Sequence, residues 1–376
     1  MSLSITPVRD ARDRRAFLRL PAAIYADDPN YVFPLFSQLR EFLDERKNPF
    51  FQHAETCLWL ARRDGRVVGR VAACVDRNHL EHWGEQAGFF GFFECENDRA
   101  AAHALLDTAR NWLRERGMAI MRGPLSFTTN HDNPGLLLED PPTRPVIGMA
   151  YNPPYYRELL ESYPGMAKCK DLWAWRMDAR GMRIPDRVRH TAERVIRGEG
   201  RVSIRPLNKK RFREEVETIR RLYNRCWSQN WGFIPMSAEE FYFAAKEMKM
   251  LVNENLLLIA QYDGEPVGFS MTVPDFNIAL QRVKGRLFPW GIFRFLADRK
   301  KIDYARTLLL GVVPEHRHRG LDMAMILRTM TAAFKAGIEA GECSWILEDN
   351  RPMNRILEGI GAEVVKTYRI YDLPLD

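Results

Sequence analysis

The sequence has few cysteines and lacks the spacings that bind metals or form disulfide frameworks. Its six cysteines form no Cys-x-x-Cys pair and no cluster with histidine. This pattern indicates free thiols in a reducing compartment and argues against a zinc site. No apolar run reaches the roughly eighteen residues of a membrane span, and the N-terminus does not read as a signal peptide. We therefore expect a cytoplasmic protein with no metal and no membrane span.

Length and charge narrow the range of functions. A chain of 376 residues is long enough for two domains, each with its own core. The net charge of +7 suits a polyanionic ligand. Basic motifs interleaved with aromatic residues, as in RNA-binding modules, are absent, so nucleic acid is not the expected partner.

Residues 308–322 combine a strand, a turn rich in hydrogen-bond donors and a helix start. Residues 308–312 are apolar and predict a buried strand, and Pro314 then interrupts pairing. Arg317 and Arg319 precede an amphipathic helix that begins near Leu321. The N-terminus of a helix offers unpaired N–H groups and attracts phosphate. We therefore predict an anion site for a phosphorylated cofactor; the alternative is an ordinary turn with two solvated arginines.

The order of residues in this turn resembles a family signature. Arg-His-Arg-Gly-Leu-Asp at 317–322 is similar to the Gln/Arg-x-x-Gly-x-Gly/Ala motif of the GNAT (Gcn5-related N-acetyltransferase) superfamily, whose backbone amides hold the pyrophosphate of coenzyme A (CoA). Asp322 departs from the motif, and it would either repel phosphate or cap the helix. The resemblance implies that acetyl-CoA or another acyl-CoA contacts Val312, Val313, Arg317, His318, Arg319, Gly320, Leu321, Asp322 and Asn350.

The rest of the C-terminal half agrees with this resemblance. Asp263-Gly264 predicts a tight hairpin turn, apolar residues at 324–338 predict one face of a helix that stops near Gly341, and Asn350 resembles the start of the second family motif. In GNAT enzymes a tyrosine often protonates the leaving thiolate, but Leu357 stands at that place here. Tyr368 is a candidate substitute.

The N-terminal half repeats the same plan. Residues 61–69 match residues 260–268 at a constant offset of 199 (260 − 61 = 268 − 69 = 199). Glu94, Glu96 and Asp98 stand where the phosphate-binding turn would be, so we expect this copy to keep the fold without binding CoA. The predicted fold is mixed α/β, with two GNAT-like domains, each a mostly antiparallel sheet flanked by helices. Their predicted limits are 1–178 (degenerate copy), 179–201 (basic linker) and 202–376 (acyl-CoA-binding copy).

Three inserts are candidates for the acceptor site. Residues 127–135 contain His131, either a general base or part of a loop that satisfies its own backbone. Residues 227–235 contribute Asn230, Trp231 and Phe233, either as a pocket wall or as packing. Residues 274–301, with Asp275 and Asn277, are aromatic and basic, and predict a lid, a membrane-surface helix, a dimer contact or buried packing.

Together these features predict an acyltransferase that moves an acyl group from CoA to an amine by direct attack. The acceptor is a small molecule or a peptide, and a backbone N–H near Val312 or Val313 polarises the thioester carbonyl. Glu348, His131 and Tyr368 are the hypothetical catalytic residues. The alternatives are a non-catalytic tandem-GNAT scaffold and an aminoacyl or peptidyl transferase that uses aminoacyl-tRNA, with the basic linker gripping the RNA.

Overall fold

The computed structural model describes residues 2–178, 180–198, 200–248 and 252–375. Residues 1, 179 and 376, which bound the predicted domains, lie outside these ranges. The chain divides into two compact units. Unit 1 contains Met1–Leu172, Leu280–Phe295 and Lys366–Asp376, and unit 2 contains Trp173–Ala279 and Leu296–Val365.

Strands and helices alternate through the first half of the chain. In order they are β1 (Leu3–Pro7), α1 (Ala11–Ile24), α2 (Phe36–Phe42), β2 (Ala54–Arg63), β3 (Arg66–Asp76), α3 (Arg77–Trp83), β4 (Ala87–Cys95), α4 (Arg99–Arg114), β5 (Ile120–Gly123), β6 (Leu136–Leu137), α5 (Tyr156–Glu161) and β7 (Ala167–Asp178).

The second half follows a similar order. Its elements are α6 (Asp186–Ile196), β8 (Val202–Pro206), α7 (Phe212–Trp227), α8 (Ala238–Met248), β9 (Leu257–Tyr262), β10 (Glu265–Pro274), α9 (Asn277–Leu280), α10 (Gly291–Asp298), β11 (Tyr304–Val312), α11 (Leu321–Lys335), β12 (Ala340–Leu347), α12 (Arg351–Gly359) and β13 (Glu363–Pro374).

The backbone repeats with the offset read from the sequence. Both hairpins turn through Asp-Gly with positive φ at each residue, at 64–65 and 263–264, as a tight hairpin turn requires. Ala61 pairs with Gly69 and Ala260 with Gly268. The repeat extends further upstream, because Ser-Ile-x-Pro occurs at 4–7 and again at 203–206 and each forms an edge strand, β1 on β2 and β8 on β9.

In each half, one parallel contact follows a series of antiparallel ones. Strands β1 to β4 are antiparallel neighbours, and β4 then pairs with β5 in parallel. Strands β8 to β11 are likewise antiparallel, and β11 pairs with β12 in parallel. The predicted mixed α/β fold with mostly antiparallel sheets flanked by helices is confirmed.

Each unit has its own apolar core. In unit 1 the buried face of α4 supplies Leu105, Leu106 and Leu113, which pack with β3 and β4. In unit 2, α11 buries Leu321, Ala324 and Met325 among residues of β9 and β10. The basic linker contains helix α6, which packs on α11 through Ala192 and Val195.

Two details differ from the sequence analysis. Helix α11 ends at Lys335 and not near Gly341, because Gly337 adopts a left-handed conformation (φ 80°) that closes the helix and lets β12 begin at Ala340. In addition, β13 pairs with β5 and β6 inside unit 1. The compact units therefore differ from the two sequence repeats, whose limits remain a prediction about domains.

Candidate functional site

In unit 2, strands β11 and β12 stop pairing about halfway along their length. They pair in parallel from Tyr304 with Ala340 to Thr307 with Cys343. Both strands continue beyond this point, β11 to Val312 and β12 to Leu347. A gap therefore opens between the two strands inside the sheet.

A buried arginine stabilises the point where the gap begins. The Arg306 guanidinium donates to the Ser344 carbonyl oxygen at 3.0 and 3.2 Å and to its hydroxyl oxygen at 3.1 Å. Both residues are buried. A buried carbonyl that loses its ladder partner is costly unless another donor replaces it. Arg306 therefore allows the strands to separate without leaving a buried carbonyl oxygen unsatisfied. No sequence motif pointed to this arginine.

The gap is lined by apolar side chains that remain partly exposed. Residues 308–310 of β11 are all leucine and are half-buried, as are Trp345 and Ile346 of β12. Fully buried neighbours surround them, such as Phe269 and Val313. Partly open leucines in the middle of a sheet are typical of an apolar binding cleft.

The backbone N–H groups of Val312 and Val313, at the end of β11, point to opposite sides of the strand. The Val313 N–H donates to the Val267 carbonyl at 2.9 Å. In an antiparallel pair successive residues point their N–H groups to alternate sides, so the N–H of Val312 is directed away from β10 and towards the gap. Of the two predicted donors, Val312 is therefore the one oriented for a ligand, whereas Val313 secures the strand.

The turn after β11 is braced by its own basic residues. Arg317 donates to the carbonyl oxygens of Val312 and Cys226, each at 3.1 Å. The Arg319 guanidinium lies 4.7 Å from the centre of the Tyr262 ring, against which His316 also packs. His318 is exposed and has a positive φ of 67°. Arg317, His318 and Arg319 are all exposed, and Arg317 shapes the turn through its bonds to the two carbonyl oxygens.

The first turn of α11 is open to an anion. Gly320 precedes the helix in a left-handed conformation (φ 73°) and provides no side-chain cap. The Asp322 carboxylate accepts from the Met323 N–H at 2.8 Å, so it acts within the helix turn. In the described part of the chain, the buried Nδ1 of His316 has no hydrogen-bond partner. An uncapped helix start beside exposed arginine and histidine fits a pyrophosphate.

An aromatic wall lies against β11. A Cβ added to Gly311 would lie 2.6 Å from the Trp227 ring, so only glycine lets the indole rest on the strand. Trp227 stacks on Tyr223 with 5.3 Å between ring centres and contacts Phe269. The next loop follows directly, with Phe233 buried near Tyr223 and with Asn230 and Trp231 half-buried.

Asparagines organise the other edge of the gap. Asn350 caps α12 by accepting from the Met353 N–H at 3.4 Å. The Asn354 amide donates to the carbonyl oxygens of Leu347 and Glu348 at 3.1 and 3.2 Å and accepts from the Trp175 indole. Asn354 thus fixes the end of β12, where half-buried Glu348 lies. Asn354 was not among the predicted site residues, although it lies in the helix that Asn350 caps.

The remaining predicted residues belong to other elements. Asp275 and Asn277 are buried in unit 2 after β10, and the Asn277 N–H donates to the Asp275 carboxylate. His131 and Tyr368 belong to unit 1. The His131 Nδ1 lies 3.0 Å from the Thr128 hydroxyl, with its ring edge-on to Phe50.

No cysteine near the gap is poised as a nucleophile. Burial raises the pKa of Cys226 to about 12 and that of Cys343 to about 12. Neither thiol therefore supplies a thiolate at neutral pH.

Comparisons with known proteins agree with the fold. The chain is 35% identical to Protein YghO of Escherichia coli, over 96% of this chain and 92% of YghO. It is 35% identical to bacterial ceramide synthase of Caulobacter vibrioides, over 99% and 98% of the two chains. A tandem GNAT protein from the clavulanic acid biosynthesis pathway superposes with a TM-score of 0.58 at 15% identity, covering 100% of this chain and 99% of that one. No family model matches the chain. Relatedness over nearly the full length shows that the chain belongs to one family with YghO and bacterial ceramide synthase, and its fold is that of GNAT proteins.

Proposed function

We propose that this protein is an N-acyltransferase that transfers a long-chain acyl group from acyl-CoA to the primary amine of a long-chain amino alcohol. The gap between β11 and β12 is the main support for this proposal, because it joins a leucine-lined cleft to a helix start suited to an anion. A polyanionic carrier with an apolar acyl chain matches these two surfaces. A ceramide is an N-acylated long-chain amino alcohol, so the relationship to bacterial ceramide synthase supports this pair of substrates.

We assign the residues of unit 2 the following roles. The first turn of α11, with His318, Arg319 and Gly320, would hold the pyrophosphate. The Val312 N–H would donate to the acyl carbonyl oxygen, and residues 308–310 would line the path of the acyl chain. When bound, acyl-CoA supplies an activated thioester, so the protein needs no covalent intermediate.

Proton transfer completes the reaction. The acceptor amine must lose a proton before its nitrogen can attack the acyl carbon, since an alkylammonium group has no lone pair. We assign Glu348 as the group that receives this proton, directly or through water. The carbon–sulfur bond breaks as the amide forms, and the CoA thiol leaves with one proton. His131 and Tyr368 remain hypotheses for further acid–base roles.

The test pairs donors and acceptors of different length. Purified protein would be incubated with acetyl-, octanoyl- or palmitoyl-CoA and with sphinganine, ethanolamine or a short peptide, while thiol release and product mass are measured. We expect an amide from palmitoyl-CoA and sphinganine, with much lower rates for the short partners. Glu348→Gln should lower kcat by about 100-fold with acyl-CoA affinity retained.

Two results would overturn the proposal. Tight acyl-CoA binding without thiol release for any acceptor would favour the non-catalytic scaffold. Steeply salt-dependent binding of aminoacyl-tRNA, with transfer from it, would favour the aminoacyl transferase.

A further inference from the structure

One short segment exposes an unusual amount of apolar surface. Phe288, Trp290, Phe293 and Leu296 are 74%, 75%, 65% and 50% exposed. They are four of the five most exposed large apolar residues in the described part of the chain, and they lie within nine positions. Buried packing, one of the predictions for this insert, is therefore wrong for these four residues. A contiguous exposed apolar patch marks an interaction site.

The exposed residues share one side of a helix start. Trp290, Phe293 and Leu296 are spaced by three positions across the beginning of α10, and the rings of Trp290 and Phe293 lie 6.4 Å apart. Asp298 lies on the buried side and pairs with Lys301 at 2.9 Å. Residues three or four apart project from the same face of a helix. The patch is thus a single row of aromatic and aliphatic side chains.

The same segment is strongly basic. Residues 282–301 contain seven Arg or Lys and one Asp, a net charge of +6, against +7 for the whole chain. Arg286, Arg294, Arg299 and Lys300 are all exposed. Within the described residues, no carboxylate forms an ion pair with any of these four. The apolar row is therefore flanked by cations on both sides along the chain.

The base of the segment is fixed to unit 1. The Phe36 N–H donates to the Gly285 carbonyl at 3.2 Å, and Gln281 donates to the Pro29 carbonyl. Gly285 has a positive φ of 75°, and a Cβ on it would lie 2.8 Å from the Phe36 ring. The exposed side chains are therefore presented by an anchored backbone.

We propose that residues 286–296 form a docking surface for an anionic lipid bilayer. Aromatic and leucine side chains insert at the boundary of headgroups and acyl chains, while neighbouring arginine and lysine attract anionic headgroups. A second copy of the chain fits this surface poorly, because a symmetric contact would bring two segments of charge +6 together. The inference stands independently of the proposed reaction, since it uses none of the residues assigned to the cleft.

Vesicle sedimentation tests the docking surface with the full chain and no acyl substrate. The probes are vesicles of phosphatidylcholine alone and of phosphatidylcholine mixed with phosphatidylglycerol. We expect strong partition to the mixed vesicles, weakened by added salt. Trp290→Ser with Phe293→Ser should lower the partition coefficient at least about tenfold, and Arg294→Glu with Lys300→Glu about tenfold on mixed vesicles only.

Matched controls separate docking from general effects. Phe334→Ser removes an aromatic residue that is 67% exposed on α11, and it should bind vesicles like the wild type. Circular dichroism and thermal unfolding verify folding, and the milder Phe288→Ser replaces the double variant if that one unfolds. Unchanged partition in the Trp290/Phe293 variant overturns the proposal. So does a variant that alters only self-association in sedimentation velocity, or only acyl-CoA affinity.

Discussion

The two halves of the chain build the same pair of diverging strands, and only one pair leaves the gap open. In the second half, β11 and β12 separate after Thr307 and Cys343, and half-buried leucines line the space. In the first half, β4 and β5 separate after Phe89 and Arg122. There the chain itself enters the gap, because the Leu125 N–H donates to the Phe90 carbonyl at 2.8 Å.

The segment that fills the first gap is tightly packed. Phe127 is buried and stacks on Phe50 and Phe42 at 5.3 and 5.5 Å between ring centres. Gly91 of β4 lies so close to the Leu125 carbonyl that a Cβ would overlap it. A ligand at this place would have to displace a folded part of the protein.

The helices that follow the two gaps, α4 and α11, also differ at their N-termini. Helix α4 is capped by the Asp98 carboxylate, which accepts from the Ala101 N–H at 3.1 Å. Helix α11 begins after Gly320 and has no side-chain cap. The cap position of α4 carries a negative charge, whereas that of α11 is glycine and the Asp322 carboxylate lies within its first turn. The two copies therefore retain the same kind of sheet while they differ in whether the gap is filled and the helix is capped.

The largest expected effect comes from Gly91→Ala. Because the obstructing atom belongs to the backbone at Leu125, the added methyl group should cost about 3 kcal/mol of stability. Urea unfolding of both proteins measures the difference. Gly359→Ala, where a Cβ meets nothing within 4 Å, is the control. A change within about 0.5 kcal/mol would mean that the first gap is not filled.

Placing a negative charge at the cap position of α11 should remove the difference between the starts of α4 and α11. Gly320→Asp places a carboxylate where the pyrophosphate is proposed to bind, and Asp tolerates the left-handed backbone. We expect octanoyl-CoA affinity to fall about 100-fold in calorimetry, from charge repulsion. Gly320→Asn, which has the same shape without the charge, should lose much less. Equal losses in the two variants would count against an anion site there.

Removing the Asp98 cap of helix α4 should lower stability without changing ligand affinity. Asp98→Ala loses the bond to the Ala101 N–H and the contact with Arg63 at 2.8 Å. We expect the free energy of unfolding to fall by about 1 kcal/mol, as for other helix caps, with unchanged octanoyl-CoA affinity. Asp98→Asn, which can still cap, should lie between. Any clear loss of affinity would place α4 in the ligand site.

The smallest expected effect concerns Glu94. Glu94 precedes Cys95 in β4, just as Gly311 precedes Val312 in β11. Cys95 pairs with Gly69 as Val312 pairs with Gly268, so the two positions correspond. The Glu94 side chain is 12% exposed and accepts from the Tyr25 and Tyr156 hydroxyl groups at 2.9 and 2.8 Å. Burial raises its pKa, although nearby Arg70 opposes the shift.

A raised pKa means that the folded state holds this proton more tightly than the unfolded state. The stability of the wild type relative to Glu94→Gln should therefore be highest below the ordinary glutamate pKa and should fall as pH rises through the raised value. Thermal unfolding of both proteins across this pH range measures the trend. Exposed Glu265→Gln is the control. A difference that does not vary with pH would contradict the prediction.

Local patterns accounted for most of the fold. Turn residues at Asp263-Gly264, helical spacing at 324–338 and the constant offset of 199 were sufficient for the hairpin, for helix α11 and for the duplication. The GNAT resemblance also led to the prediction of an anion site at the turn after β11. The end of α11 was predicted near Gly341, but Gly337 closes the helix earlier in a left-handed conformation.

The residues that shape the site depend on contacts between distant parts of the chain. Arg306 meets Ser344 across 38 residues, Trp227 rests on Gly311 across 84, and Arg317 reaches Cys226 across 91. The sequence by itself determined which segments become strands, turns and helices, because spacing and turn chemistry act over a few positions. Packing between distant segments determines which gap stays open, which arginine braces the turn and which aromatic residues remain exposed, because burial depends on neighbours that no local pattern specifies.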